Sequence, residues 1–227
     1  MNMKLEAVQP RWSSCIVAAP GPSLPVYVDE VCASGLPTIV VNDAWKLLPW
    51  ADVLYACDNH WWEYHQGTAF AGEKWSTHEG VPRENHGNDK REIHRKWGVR
   101  CVAGCDDIGF SYVQDKIHYG SNSGFQAINL AILFGCTHII MVGFDMRIVD
   151  QKSHFFGDHP QPIKMGGDYS GFVKYYDRAA KDLPVHIRIV NATEGSAVRC
   201  FPMMGLQDAI KDGLLYRNGS VAHAAAG

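Results

Sequence analysis

The chain has no C-x-x-C pair, no apolar run of membrane-spanning length and almost no net charge. Each absence removes a class of function. The seven cysteines are odd in number and mostly lie inside apolar runs, where a free thiol packs as a small hydrophobe. Neither a disulfide framework nor a zinc knuckle is therefore expected. Cys101 and Cys105, the closest pair, lack the further partners of a zinc site at ligand spacing. The apolar runs have strand length, against about 20 residues for a membrane helix, and Met1–Arg11 has no signal-peptide core. No membrane association is expected, and free thiols point to a reducing cytoplasm. A formal charge of −3 supplies no global field to recruit nucleic acid or anionic lipid.

What remains is an ordinary globular composition, 46% hydrophobic and 20% charged, long enough at 227 residues for one sizeable core. Residues 1–227 are expected to form one domain, with 1–12 and 218–227 frayed. Cys15–Ala19, Thr38–Val41 and Asp52–Cys57 are short apolar runs that stop at turn residues, the pattern of buried strands. A helix is expected from Ser23 to about Ser34, closed by Gly35. Three such strands joined by short helices predict a mainly parallel sheet with helices on both faces, a Rossmann-like α/β fold.

Thr68 to Arg100 is rich in Gly, His, Trp and charge and predicts loops, with one short helix near Lys90–Trp97 and a strand at Val99–Val102. Arg83 to Arg100 carries six Lys/Arg against three Asp/Glu, the balance of a solvated helix face. Asn122 to Phe134 is helical and apolar almost all round, with Asn122, Gln126 and Asn129 as its one polar stripe. Ile139–Val142 is the strongest strand; Asp168–Leu183 predicts a helix and Val185–Val190 the last core strand.

Open parallel sheets bind ligands beyond the carboxyl ends of their strands. Polar residues follow such ends five times here, at Gly21/Ser23, Asn42/Asp43, Asp58/Asn59, Asp145 and Asn191/Thr193. Any one of them is an ordinary cap or turn former; five on one edge suggest a site. The Pro20-Gly21-Pro22-Ser23 loop joins a strand to a helix start, where a glycine lets an anion approach backbone N–H groups. It is neither a Walker loop nor a Gly-x-Gly-x-x-Gly turn. Gly120-Ser121-Asn122-Ser123-Gly124 is either a second such nest or simply a capped helix start. The Lys152–His159 loop holds two histidines and an acid, open to three readings: base, metal ligand or plain loop. Trp45, Trp50, Trp61 and Trp62 crowd the second and third strand ends, and the adjacent Trp61 and Trp62 cannot both face the same way.

Val17–Leu24 resembles the N-terminal Gly-x-Gly-Pro-Ser-Leu motif of bacterial sialyltransferases that use CMP-activated sialic acid. Asn42 is similar to their second-strand asparagine, Ser123-Gly124 to their Ser-Gly helix start, and Gly143-Phe144-Asp145 to their Gly-x-Asp. Ala19 replaces their first glycine, and Pro20, with no N–H, replaces an asparagine. The block from Gly120 to Asp145, followed by Lys152-Ser153-His154, resembles the central block and Lys-Thr-His-like element of a second family. That family includes the archaeal 6-hydroxymethyl-dihydropterin pyrophosphokinases. The Asn42–Trp45 and Leu54–Asp58 segments are similar to proteins carried in prophage clusters.

These resemblances imply a nucleotide-dependent transferase, with glycosyl transfer from a nucleotide-sugar ahead of pyrophosphoryl transfer to a small heterocycle. The alternative is a non-catalytic phage protein that binds a nucleotide or a partner. Gly21, Pro22, Ser23, Asn42, Asp58, Ser123, Gly124 and Asp145 are the implied nucleotide-contacting residues. His154 and then His159 are the implied catalytic residues. The acceptor, a role for Mg2+ and a homo-oligomeric state stay open.

Overall fold

The computed structural model describes residues 7–79, 95–160 and 168–217. Eight strands form one sheet in the order β6-β5-β4-β3-β2-β1-β7-β8, and every neighbouring pair is parallel. They are β1 (Ser14–Ala18), β2 (Thr38–Val41), β3 (Val53–Tyr55), β4 (Glu73–Glu79), β5 (Arg100–Cys105), β6 (Lys116–His118), β7 (His138–Val142) and β8 (Arg188–Asn191). The central strands β1 and β7 are buried throughout, as strands covered on both faces must be. Strand order reverses between β1 and β7. There the connections leave to opposite sides, so a crevice opens beyond the strand ends.

One face of the sheet is covered by α3 (Ser123–Leu133) and α4 (Tyr169–Lys181), around Val17, Val41, Tyr55 and Met141. The other carries α1 (Val28–Ser34), α2 (Asn59–Tyr64) and α5 (Leu206–Arg217), around Ile16, Val40, Leu54 and Ile140. The expected Rossmann-like α/β architecture is the observed one.

All eleven residues of α3 are buried, which explains its nearly unbroken apolar surface. Its polar stripe pins the surrounding backbone. Asn122 Oδ1 accepts from Phe125 N at 2.8 Å and from the Tyr176 hydroxyl at 2.9 Å. Gln126 Nε2 donates to Tyr119 O, while its Oε1 accepts from the Tyr55 hydroxyl at 2.6 Å. Asn129 Oδ1 accepts from Ser111 N and His118 N, and its Nδ2 donates to Ser111 O, all within 3.0 Å. One side chain thus supplies partners for three backbone groups that water cannot reach.

Several local expectations are corrected. The first helix is split, with a 3-10 turn at Leu24–Tyr27 before α1. Only a 3-10 turn, Asn42–Lys46, separates β2 from β3. Within the stretch expected to be loops lies β4, whose sequence EKWSTHE lacks an apolar run; it is paired between β3 and β5, and Trp75, Ser76 and Thr77 are nonetheless buried, Trp75 edge-on against Phe134. Strand β6 and helix α5 were not expected at all. Val185, placed in the last strand by its apolar character, is 96% exposed, and β8 begins at Arg188. Residues 7–12 do not fray: Val8 is fully buried and donates to Gln114 O, and Arg11 and Trp12 both donate to Phe134 O. The helix expected near Lys90–Trp97 falls mostly on residues outside those described; 95–97 are helical.

Asn129→Leu keeps the branched outline of the side chain but orphans the three backbone groups. A loss of at least about 2 kcal/mol in urea unfolding is expected, since each buried unmet group costs about 1–3 kcal/mol. A loss below about 0.5 kcal/mol would show that the stripe is not what holds this region.

Candidate functional site

All the strands run the same way, so every strand-end polar residue singled out above lies at one edge of the sheet. At the switch point the Pro20–Ser23 loop meets the end of β7. Gly21 N–H donates to Gly143 O at 3.0 Å, and both the hydroxyl and the N–H of Ser23 donate to Asp145 Oδ2, at 2.8 and 3.3 Å. A Cβ on Gly21 would overlap the Asp145 carboxylate and Gly143 O; one on Gly143, at φ +70°, would overlap Ala19 O. The glycine is therefore required by the chain's own packing. The Ser23 N–H is already paired with a carboxylate 2% exposed, so an anion seated there displaces Asp145 first.

The second nest is also engaged with its own chain. Ser123 Oγ accepts from Cys57 N at 3.2 Å and donates to Cys57 Sγ at 3.0 Å, joining the end of β3 to the start of α3. Gly124 packs beneath Phe144, where a Cβ would lie 2.9 Å from the ring.

The loop carrying the two histidines is a tight reversal. His154 N donates to Gly157 O and Gly157 N to His154 O, while Phe155 N donates to Pro20 O at 3.1 Å. This last bond lays the loop over the switch point. The His154 and His159 rings come to 4.5 Å between centroids, and Phe156 stacks on His154.

His159 faces Asp43, a residue just past β2 that is 1% exposed. Asp43 Oδ2 accepts from Trp61 Nε1 at 2.8 Å and stands 3.8 Å from His159 Nδ1. Its Oδ1 pairs with Lys46 Nζ at 2.5 Å and lies 3.3 Å from His65 Nε2, though out of line for a hydrogen bond. The sequence pointed to both histidines and to the Asn42/Asp43 strand end. It missed Lys46 and His65, whose only signal is a position one short helix away from a strand end. Of Trp61 and Trp62, the first turns to Asp43 and the second donates to Ala56 O.

Electrostatics separate the charges sharply. Burial pushes the Asp43 carboxyl up, but the contacts from His65, Lys46 and Trp61 outweigh it and hold it well below the usual carboxylate range. Burial, reinforced by neighbouring His159, pushes His154 down to about 4. His159 is also lowered by burial, against the pull of Asp43. An ionised carboxylate and two neutral imidazoles therefore coexist at neutral pH. Five buried polar atoms here have no hydrogen-bond partner among the described residues: Asn42 Oδ1, Trp45 Nε1, Asn59 Oδ1, His65 Nε2 and His159 Nδ1. Buried polar atoms are rarely left unpaired, so these five set the region apart from the apolar core beneath it.

Two measurements check this description. Gly21→Ala should destabilise the protein by about 1–3 kcal/mol through overpacking, whereas Gly205→Ala, whose Cβ meets open space, should be neutral; equal unfolding midpoints would refute the packing role. Stability should also fall as pH drops from about 6.5 toward 4. In that window the unfolded chain binds protons that folded His154, and likewise buried His138, refuse. Each contributes up to about 3 kcal/mol, so His154→Gln should flatten the slope between pH 7 and 5. Asp43, depressed rather than raised, adds its loss only below about pH 4. A slope unaltered by His154→Gln would contradict the burial of that ring.

No family model matches the chain, and no curated protein matches its sequence. Among solved structures, the fold is similar to that of the MAf glycosyltransferase from Magnetospirillum magneticum AMB-1, with a TM-score of 0.56 at 11% identity. The likeness covers 93% of this chain and 38% of the other, so the chain spans well under half that protein's length. At this identity the comparison concerns architecture alone: a parallel α/β sheet with helices on both faces.

Proposed function

We propose that the chain is a nucleotide-dependent transferase that moves a glycosyl group from a nucleotide-sugar donor. The observation that carries this reading is the Asp43–His159–His154 cluster, held over the strand ends beside the switch point. In open parallel sheets that crevice is where ligands bind. The glycosyltransferase-like fold and the sialyltransferase-like Pro-Gly-Pro-Ser-Leu and Gly-Phe-Asp segments favour glycosyl over pyrophosphoryl transfer. Asn42, Asp58 and the loops at Gly21–Ser23, Ser123–Gly124 and Asp145 would face the nucleotide, with Asp145 giving way where the phosphate meets Ser23.

Glycosyl transfer needs an acceptor hydroxyl to lose its proton as the donor bond breaks, and a positioned base contributes about 10²–10⁴-fold. His159 is the better-supported base. Asp43, at 3.8 Å and beyond hydrogen-bond reach, favours by its charge alone the tautomer with the proton on Nδ1, leaving Nε2 as the proton acceptor. His154, at about 4, is fully neutral at pH 7 but weakly basic, and its ring lies 4.5 Å from that of His159. This reverses the order in which the sequence ranks the two.

A thermal-shift screen across nucleotides and nucleotide-sugars, with and without Mg2+, tests the reading, because a ligand of the folded state raises its melting temperature. The matching nucleotide-sugar should also be slowly hydrolysed. With that donor, His159→Ala should lower turnover at least about tenfold with donor affinity nearly intact, and His154→Ala less. Neither stabilisation nor hydrolysis by any donor would leave the non-catalytic partner-binding alternative in its place.

A further inference from the structure

Far from the switch point, at the opposite end of the strand order, the last two strands bring together three side chains of metal-ligating type. Cys105 closes β5, Asp107 follows it, and His118 closes β6. Cys105 and His118 are register partners, so the parallel pairing alone sets them side by side at the same edge. Tyr119 N donates to Cys105 O at 3.0 Å and locks that alignment just beyond the strand ends. One donor atom from each of the three residues lies within 4.8 Å of the other two.

The separations suit a shared ion. Cys105 Sγ is 3.2 Å from Asp107 Oδ2, and His118 Nε2 is 3.6 Å from the same oxygen. Ligands of a tetrahedral ion with bonds of about 2.0–2.3 Å stand about 3.3–3.8 Å apart. The tautomer of His118 points the same way. Its Nδ1 lies 3.1 Å from Gly109 O, and a carbonyl can only accept, so Nδ1 carries the proton. In the neutral ring Nε2 is then a lone pair, and it faces a carboxylate oxygen, also an acceptor. Two acceptors at this distance are reconciled by a cation between them, either a proton on Nε2 or a metal ion. A histidine whose remote nitrogen donates to a backbone carbonyl is the usual form of a metal-bound imidazole.

We propose that Cys105, Asp107 and His118 bind a divalent transition-metal ion, with zinc the best match to a mixed sulfur, nitrogen and oxygen donor set. Three protein ligands leave a fourth position for water or another ligand. His118 is 13% exposed and Asp107 69%, so the ring is held by the fold while the carboxylate closes from the solvent side. The ion would clip the 105–109 loop to the edge strand β6. Sequence spacing hides this set, since the cysteine's partners lie 2 and 13 residues away, on a loop and on a separate strand. The site is independent of the transferase reading, because four strands stand between β6 and β1.

Cobalt(II) is the probe. Chelator-treated protein titrated with Co2+ should take up one equivalent that shows a thiolate-to-cobalt charge-transfer band and the visible spectrum of a tetrahedral ion, both bleached by Zn2+. Cys105→Ser should remove the charge-transfer band. His118→Ala, and separately the exposed Asp107→Asn, should weaken binding at least about tenfold. His159→Ala should leave the band intact. Urea unfolding of the metal-free variants, matched to metal-free wild type, separates ligand loss from misfolding; Asp107→Asn decides if either other variant fails to fold. The proposal is overturned by a wild type with no thiolate band, by a band that persists in Cys105→Ser, by one that vanishes in His159→Ala, or by unchanged affinity in Asp107→Asn.

Discussion

The geometry of the candidate site depends on how closely the ends of β1 and β7 approach each other. Where strand order reverses, the two connecting segments diverge, and beyond Ala19 and Val142 the sheet ladder no longer holds them together. The backbone contact between Gly21 and Gly143 does so, with the Asp145 carboxylate bridging back to Ser23. It admits no side chain on either glycine. The histidine loop leans on this joint through Phe155 N and Pro20 O. A shift of the joint would move His154 and His159 relative to Asp43, which is anchored separately by Trp61 and Lys46.

The second organising feature is electrostatic. Taking a carboxylate out of water is costly unless several donors compensate it, and Asp43 has a tryptophan N–H and an ammonium in contact with it. The same burial disfavours charge on the nearby imidazoles. One environment thereby yields an anion and two neutral imidazoles at neutral pH.

The contrast between legible and illegible elements follows from burial. β1, β2, β3 and β7 are short apolar runs ended by turn residues, because both faces of a central parallel strand meet helices. The α3 pattern was legible for the same reason, and its amide stripe was visible as a stripe, though not as a set of backbone partners. β4 and β6 lie toward the edge and carry Glu73, Lys74, Lys116 and His118, so hydrophobic patterning hid them. Val185 misled in the opposite sense, being apolar and fully in solvent.

By itself the sequence determined the fold class, the polarity of the sheet and the edge where polar residues gather. Those follow from local runs, turn residues and the rule that parallel strands share their carboxyl ends. Only the tertiary structure decided which of those residues meet. Asp43 and His159 are 116 positions apart, and Ser23 and Asp145 are 122 apart. Their contacts arise from strand order and from a loop folding back across the sheet. Local propensity carries no information about contacts made at that range, because the energy that selects them comes from packing the whole sheet at once.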